Sequence, residues 1–200
     1  MKELAKKYYE AVNDYDPKMV GAMITENYIQ HNPFVPTGKQ AFLNLLPALE
    51  VHKTKILNQR LFQDQNYVIM HHHWTNAQPL GASELSAIHV IRFNSDKLIA
   101  EHWNVTSTEL DFEGPKEITN KGQTFENKKK IQNLYQGKKL HRIFGEENFV
   151  LAIYEEDSSA KYDLFFMENK TIKNQWKIYQ YIPTENFKNQ NTMFNFNSSF

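Results

Sequence analysis

The chain has 200 residues, 40% hydrophobic and 14% aromatic, enough to bury a real core in one or two compact domains. Its 23 basic and 23 acidic residues cancel, and no long block of one sign stands out beyond Lys128 to Lys130, so neither nucleic acid nor a membrane surface is an expected partner. Cysteine is absent, which excludes disulfides, thiolate metal sites and a cysteine nucleophile.

Leu4, Tyr8, Ala11, Val12 and Tyr15 recur at helical spacing in an opening segment that is charged and amphipathic rather than signal-like. With no apolar run approaching a membrane span, the expected location is cytoplasmic. Asp16-Pro17 supplies an N-cap and a first-turn proline for a second helix carrying Val20, Met23 and Ile24. The stretch YIQHNPFVPTGKQ, residues 28–40, begins as a strand and turns at His31, Asn32 and Pro33. Thr37 and Gln40 then have the spacing of a capping box ahead of Phe42, Leu45, Leu46 and Leu49, with Pro47 expected to kink or end that helix. From His52 the pattern becomes strands at 53–62, 66–75, 83–94 and 97–107, separated by turn residues. Helices followed by an antiparallel meander predict an α+β fold, with helices laid on one face of a curved sheet.

The second half repeats part of the first. NQRLFQDQNYVIMHHHW, residues 58–74, aligns with LHRIFGEENFVLAIYEE, residues 140–156, and AIHVIRFNSDKLIAEHWNV, residues 87–105, aligns with KYDLFFMENKTIKNQWKIY, residues 161–179. Both pairs keep an arginine before the aliphatic-aromatic step and a tryptophan on the last strand. A single candidate helix, around Glu126 to Tyr135, precedes the second set of strands. The expected organisation is a domain over 1–107, a linker over 108–126, an incomplete second copy over 127–183 and an Asn/Phe-rich tail over 184–200, read as a loop or packed extension.

YIQHNP at 28–33 followed by Gly38, YVIMHHH at 67–73, and IRFNSDKLIAEHWNV at 91–105 lie in an order that resembles the SnoaL-like polyketide-cyclase relatives of the nuclear transport factor 2-like superfamily, in particular its SnoaL-like aldol-condensation group. The resemblance implies a cone of strongly bent antiparallel sheet wrapped on helices around a pocket, a homodimer formed through the sheet, and a second such domain in longer members. It also implies acid/base chemistry without a cofactor. Where the relatives typically read Glu-His-Trp-Asp, this chain has Glu101, His102, Trp103 and Asn104, and an amide does not take a proton as a carboxylate does. The aspartate usual on the preceding strand is His89 here; Asp163 holds that place only in the second copy, where the four-residue block is Asn174, Gln175, Trp176 and Lys177.

What remains is a set of histidines. Strand alternation puts His71 with His73, and His102 with Asn104, on common faces, while His72 and Trp74 point the other way; alternation does not say which face is the cavity. The expected catalytic set is His102 or His71 exchanging a proton, His31 orienting the substrate from the cavity rim, and Asn104 holding a carbonyl or water. Tyr28, His73, His89 and Trp103 are the expected substrate-binding residues. A metal held by alternate histidines of the 71–73 run with His89 or His102 lacks a fixed third ligand and any HExxH-type spacing, so no metal and no cofactor is expected. Two readings stay open: a cofactor-independent enzyme acting on a small apolar carbonyl compound by aldol condensation, isomerisation or dehydration, and a ligand-binding or dimerisation module that has lost the carboxylates.

Overall fold

The structure is a computed structural model that describes residues 1–119, 122–185 and 187–196. Helices α1 (Lys2–Asn13) and α2 (Pro17–Met23) open the chain, and Asp16 caps α2 by accepting hydrogen bonds from the backbone N–H groups of Lys18 and Met19. Ile24 begins strand β1 (Ile24–Gln30) rather than ending α2, because its backbone is already extended. The third expected helix is two short ones, α3 (Lys39–Leu43) and α4 (Leu46–His52), with Pro47 in the first turn of α4. No capping box forms there. Gly38, at φ +99°, occupies the cap position of α3, and the Thr37 hydroxyl instead accepts from Gln30 N.

Strands β2 (Lys55–Asp64), β3 (Tyr67–Thr75), β4 (Glu84–Phe93) and β5 (Ile99–Ser107) form the antiparallel meander, and β1 adds parallel to β5 to give the order β1-β5-β4-β3-β2. One face of this sheet buries Ile56, Val68, Met70, Trp74, Leu85 and Ile91 against Tyr8, Val12, Val20, Phe42 and Leu49 of the helices. That is the concave, cone-forming face. After an irregular segment, α5 (Thr124–Leu134) leads into a second antiparallel meander of β6 (Lys139–Glu146), β7 (Phe149–Glu156), β8 (Ser159–Glu168) and β9 (Thr171–Tyr181).

The second sheet is a repeat of the first down to its irregularities. Register shifts fall just before Arg60 in β2 and just before Arg142 in β6, and again at Arg92/Phe93 and Phe166/Met167. His89 pairs with Asn104 across β4 and β5, as Asp163 pairs with Lys177 across β8 and β9.

The two sheets pack through their convex faces. Phe62, Ile69, Ile88, Val90, Trp103 and Val105 meet Phe144, Phe149, Leu151, Tyr162, Leu164 and Trp176 in one buried layer, each fully buried side chain contributing about 1.5–3 kcal/mol of transfer free energy. Strand β2 adjoins β6 and β5 adjoins β9, so these strands meet their own counterparts, while β4 also touches β9 and β5 touches β8. This face of the first sheet is therefore covered by the chain's own second half. Helix α5 and its C-cap cover the opposite, concave face of the second sheet, with Ile131 and Tyr135 on Val150, Ala152 and Phe165. Among the described residues, no helix is long and apolar enough to cross a membrane.

Candidate functional site

A cavity of about 390 Å³ opens between the concave face of the first sheet, helix α3 with Leu45 just before α4, the turns at 34–36 and 79–80, and the chain that returns after β9. Phe42, Leu45, Trp74 and Leu80 make its apolar wall, while Gln30, Asn32, His89, His102, Asn104 and Gln180 supply the polar surface. No carboxylate lines it among the described residues, and Lys188 is its one charged lining residue.

Register decides which residues reach this cavity. Gln30 is aligned with His102, and His89 with both Met70 and Asn104, so these side chains and those of His72 and Trp74 share the concave face. His102, Asn104 and His89 are thus brought together as expected, with Tyr28 directly behind His102: the Tyr28 hydroxyl lies 2.8 Å from His102 Nδ1.

The other four expected residues lie on the opposite face. His31 follows Gln30 in an extended strand and must point the other way, so its ring does not face the cavity. It stacks on Trp103 at 4.3 Å, with Nε2 2.9 Å from Glu101 Oε2 and Nδ1 2.7 Å from the Thr192 carbonyl. Trp103 is fully buried between the sheets. His71 accepts from Arg60 Nη1 through Nδ1 and meets Ser86 Oγ through Nε2, both at 2.9 Å. His73 meets Glu84 and stacks on Phe112. Since His71 and His73 face away from His89 and His102, the considered metal-ligand set does not assemble; among the described residues no group of His, Asp or Glu is arranged to hold a metal ion.

Hydrogen bonds assign the proton positions of the cavity histidines. The backbone N–H of Asn32 donates to Gln30 Oε1 at 2.9 Å, which turns the Gln30 amide nitrogen toward the Tyr28 hydroxyl at 3.5 Å and His102 Nδ1 at 3.3 Å. Facing an amide N–H and a hydroxyl, Nδ1 is an acceptor, so neutral His102 carries its proton on Nε2. That N–H donates to His89 Nδ1 at 2.7 Å. His89 in turn carries its proton on Nε2, a buried atom with no hydrogen-bond partner among the described residues. A directed chain runs from Gln30 through Tyr28 and His102 to an unused donor on His89.

Burial keeps these rings neutral. It lowers His102 to about 3, with the charge of His31 adding to the effect, and holds His89 and His72 well below the usual histidine value. His72 was not among the expected site residues, yet its ring lies 4.9 Å from His89 and 4.4 Å from Tyr9, and its Nδ1 also lacks a partner. Trp74 stacks beside His89 at 5.7 Å with an unpartnered buried indole N–H. The turn centred on Pro79-Leu80 could have revealed both, because it sets His89 opposite Met70 and hence on the face of His72 and Trp74.

The second half completes the site. Gln180 and Asn32 exchange reciprocal amide hydrogen bonds of 3.1 and 3.2 Å. Asn189 donates to the Asn32 and Val35 carbonyls, Asn191 donates to the Gln30 carbonyl, and Lys188 N donates to the Pro33 carbonyl. Asparagine side chains here act as backbone partners for a turn with no strand beside it.

A curved antiparallel sheet wrapped on helices, with a cavity between them, makes the first half an α+β domain. Residues 5–102, just under half of the chain, match the family described as SnoaL-like domain. No curated protein matches the chain in sequence. Among solved structures it is similar to an uncharacterised cystatin-fold protein from Novosphingobium aromaticivorans, at 20% identity and a TM-score of 0.46 over 52% of this chain and 95% of that one. A candidate polyketide cyclase from Sinorhizobium meliloti is 11% identical, with a TM-score of 0.46 over 52% and 94%. A SnoaL-like protein of unknown function from Burkholderia thailandensis is 12% identical, with a TM-score of 0.45 over 52% and 92%.

Proposed function

We propose that the first-half cavity binds a small, largely apolar molecule through a hydrogen-bond acceptor such as a carbonyl oxygen, and that binding rather than proton abstraction is its primary task. The observation that carries this reading is the unpartnered Nε2–H of His89 at the end of the Gln30–Tyr28–His102 chain. A buried donor without a partner costs about 1–3 kcal/mol, which an incoming acceptor recovers. The side-chain amide of Asn104, opposite His89 and without a hydrogen bond of its own among the described residues, is a second contact for the same ligand.

Proton abstraction is poorly served. A general base must be free at working pH and still have the affinity to take a proton; burial lowers His102 to about 3, which leaves it free but a weak base. The two positions where the family resemblance implies carboxylates hold His89 and Asn104. A catalytic reading retains one supporting observation, the unbroken Tyr28–His102–His89 chain, because a neutral imidazole N–H polarises a carbonyl without being charged.

Mass spectrometry of molecules carried by the purified protein tests the proposal. A retained carbonyl compound that is lost from His89→Phe supports it; equal retention by parent and variant removes it. Exchange of the α-protons of a bound ketone with deuterated solvent, followed by NMR, separates the readings: binding without exchange is the expected result.

A further inference from the structure

The inference that follows rests on the proposed cavity reading and concerns the charge and orientation of what the cavity takes. Every polar group at its inner end is neutral: the amides of Gln30, Asn32 and Asn104, and the rings of His89 and His102. An anionic group placed there would be desolvated with no countercharge, which is the most costly arrangement available to it.

The mouth is different. Lys188 lines it from the chain after β9, and its ammonium has no ion pair or hydrogen bond among the described residues. Its backbone is pinned, because Lys188 N donates to the Pro33 carbonyl at 2.7 Å and the buried neighbour Asn189 clamps the Asn32 and Val35 carbonyls at 2.8 and 2.7 Å. The root of this exposed lysine is thus fixed at one edge of a cavity that holds no carboxylate among the described residues. Its position also makes the second half a contributor to specificity, since nothing in residues 1–107 supplies a charge to the cavity lining.

We propose that the ligand is an apolar oxo acid, bound with its carbonyl inward on His89 and its carboxylate outward on Lys188. The inner acceptor fixes depth, the apolar body fills the wall of Phe42, Leu45 and Leu80, and the charge stays at the solvent edge where it keeps part of its hydration.

Isothermal titration of the full chain with benzoylpropionate and with its methyl ester tests this. An exposed ion pair contributes at most about 1 kcal/mol, so the acid is expected to bind about threefold to fivefold more tightly than the ester. The acid-to-ester ratio should fall to about one in Lys188→Gln, invert in Lys188→Glu, and shrink when ionic strength is raised. Equal binding of acid and ester by the parent, or a preference that survives Lys188→Gln, overturns the oxo-acid inference and leaves the cavity reading standing. Failure of both probes to bind overturns the cavity reading and this inference with it.

Discussion

The two halves of the molecule share a strand meander, an arginine after the same bulge and a tryptophan on the last strand, yet among the described residues only the first has its paired histidine and amide positions lining a cavity. In the first, His89 and Asn104 face a space bounded by α3, Leu45 just before α4 and the returning chain. In the second, the equivalent Asp163 and Lys177 stand at the same register, but Tyr135, at the C-cap of α5, packs on that sheet and donates to Asp163 Oδ2 at 2.5 Å. Tyr154 and Gln175 donate to the same oxygen. The bent sheet is therefore not sufficient to make a site; the front helices and β1, which the second half lacks, hold the cone open. The second half offers its convex face to the first instead.

Removing that cover should have the largest effect. A fragment of residues 1–110 exposes Phe62, Ile69, Ile88, Val90, Trp103 and Val105 together, and an apolar sheet face of that size aggregates. The soluble fraction on size exclusion should collapse, whereas light scattering of the full chain should read monomer. A soluble, cooperatively unfolding fragment would show that the second half is not required. Within the intact chain, Arg60 ties the halves most tightly. Its guanidinium stacks 3.6 Å from the Trp176 ring and donates to the carbonyls of Phe112, Glu113 and Pro115 as well as to His71. Arg60→Ala should lower the unfolding free energy in urea by about 3 kcal/mol. At the nearby Gly114, at φ +93°, an added β-carbon would meet the Asn174 and Trp176 side chains, so glycine lets the segment run this close to the second sheet.

Acid should separate the halves next. Burial, together with the Arg60 charge for His71, holds His71 and His102 at about 3 against 6.5 in an unfolded chain, and lowers His72 and His89 strongly as well. Between those values the unfolded chain binds more protons than the folded one. Stability is then fully present above about pH 6.5 and is lost as pH falls toward 3, at about 1.4 kcal/mol per pH unit for each histidine. Asp163 has the opposite sign, because burial raises its folded value: its contribution is present below 3.8 and lost as pH rises through the folded value. Urea midpoints at pH 7.5, 6 and 5 should therefore fall steeply, with NMR showing the first-half core lost first. A flat profile over that range would contradict burial of the neutral histidines.

The repeat, the order of elements and the α+β architecture were legible because each rests on local pattern: alternation within strands, turn residues between them, and an arginine and a tryptophan recurring at matched places. The site was half legible for a physical reason. Alternation yields relative facing, so His102 goes with Asn104, but nothing local says which face becomes concave; that depends on where the helices and the second sheet pack. His71 and His73 pair as expected and both face the second sheet. His31 misleads because the turn residues after it suggest a rim, whereas extension through Tyr28 and Gln30 turns it outward onto Trp103 and Glu101. There, burial pushes the Glu101 carboxyl up, but hydrogen bonds from His31 and Arg92 outweigh it and hold the carboxyl below its usual value. Gln180 and Lys188 carried no local signal, since an asparagine-rich tail reveals nothing of the distant turn it clamps.

The smallest expected effect on stability, and the sharpest comparison of the two concave faces, comes from Asn104→Asp. This puts an acid opposite His89 in the first half, as Asp163 lies opposite Lys177 in the second. Directly paired residues across antiparallel strands bring their Cβ atoms to about 5 Å, close enough for a carboxylate to favour a charged imidazole. Because Asn104 faces an open cavity rather than packed core, the cost to folding should be about 1 kcal/mol. The cavity imidazoles should titrate at least about one pH unit higher by NMR, and the parent's inert ketone complex should begin to exchange α-protons, since the cavity then holds a base. An acid here also repels an anionic ligand, so the preference for benzoylpropionate over its ester should weaken. Imidazole titrations that superimpose on those of the parent would mean that position 104 does not act on His89, and the difference between the halves would then lie in the space enclosed rather than in the groups that face it.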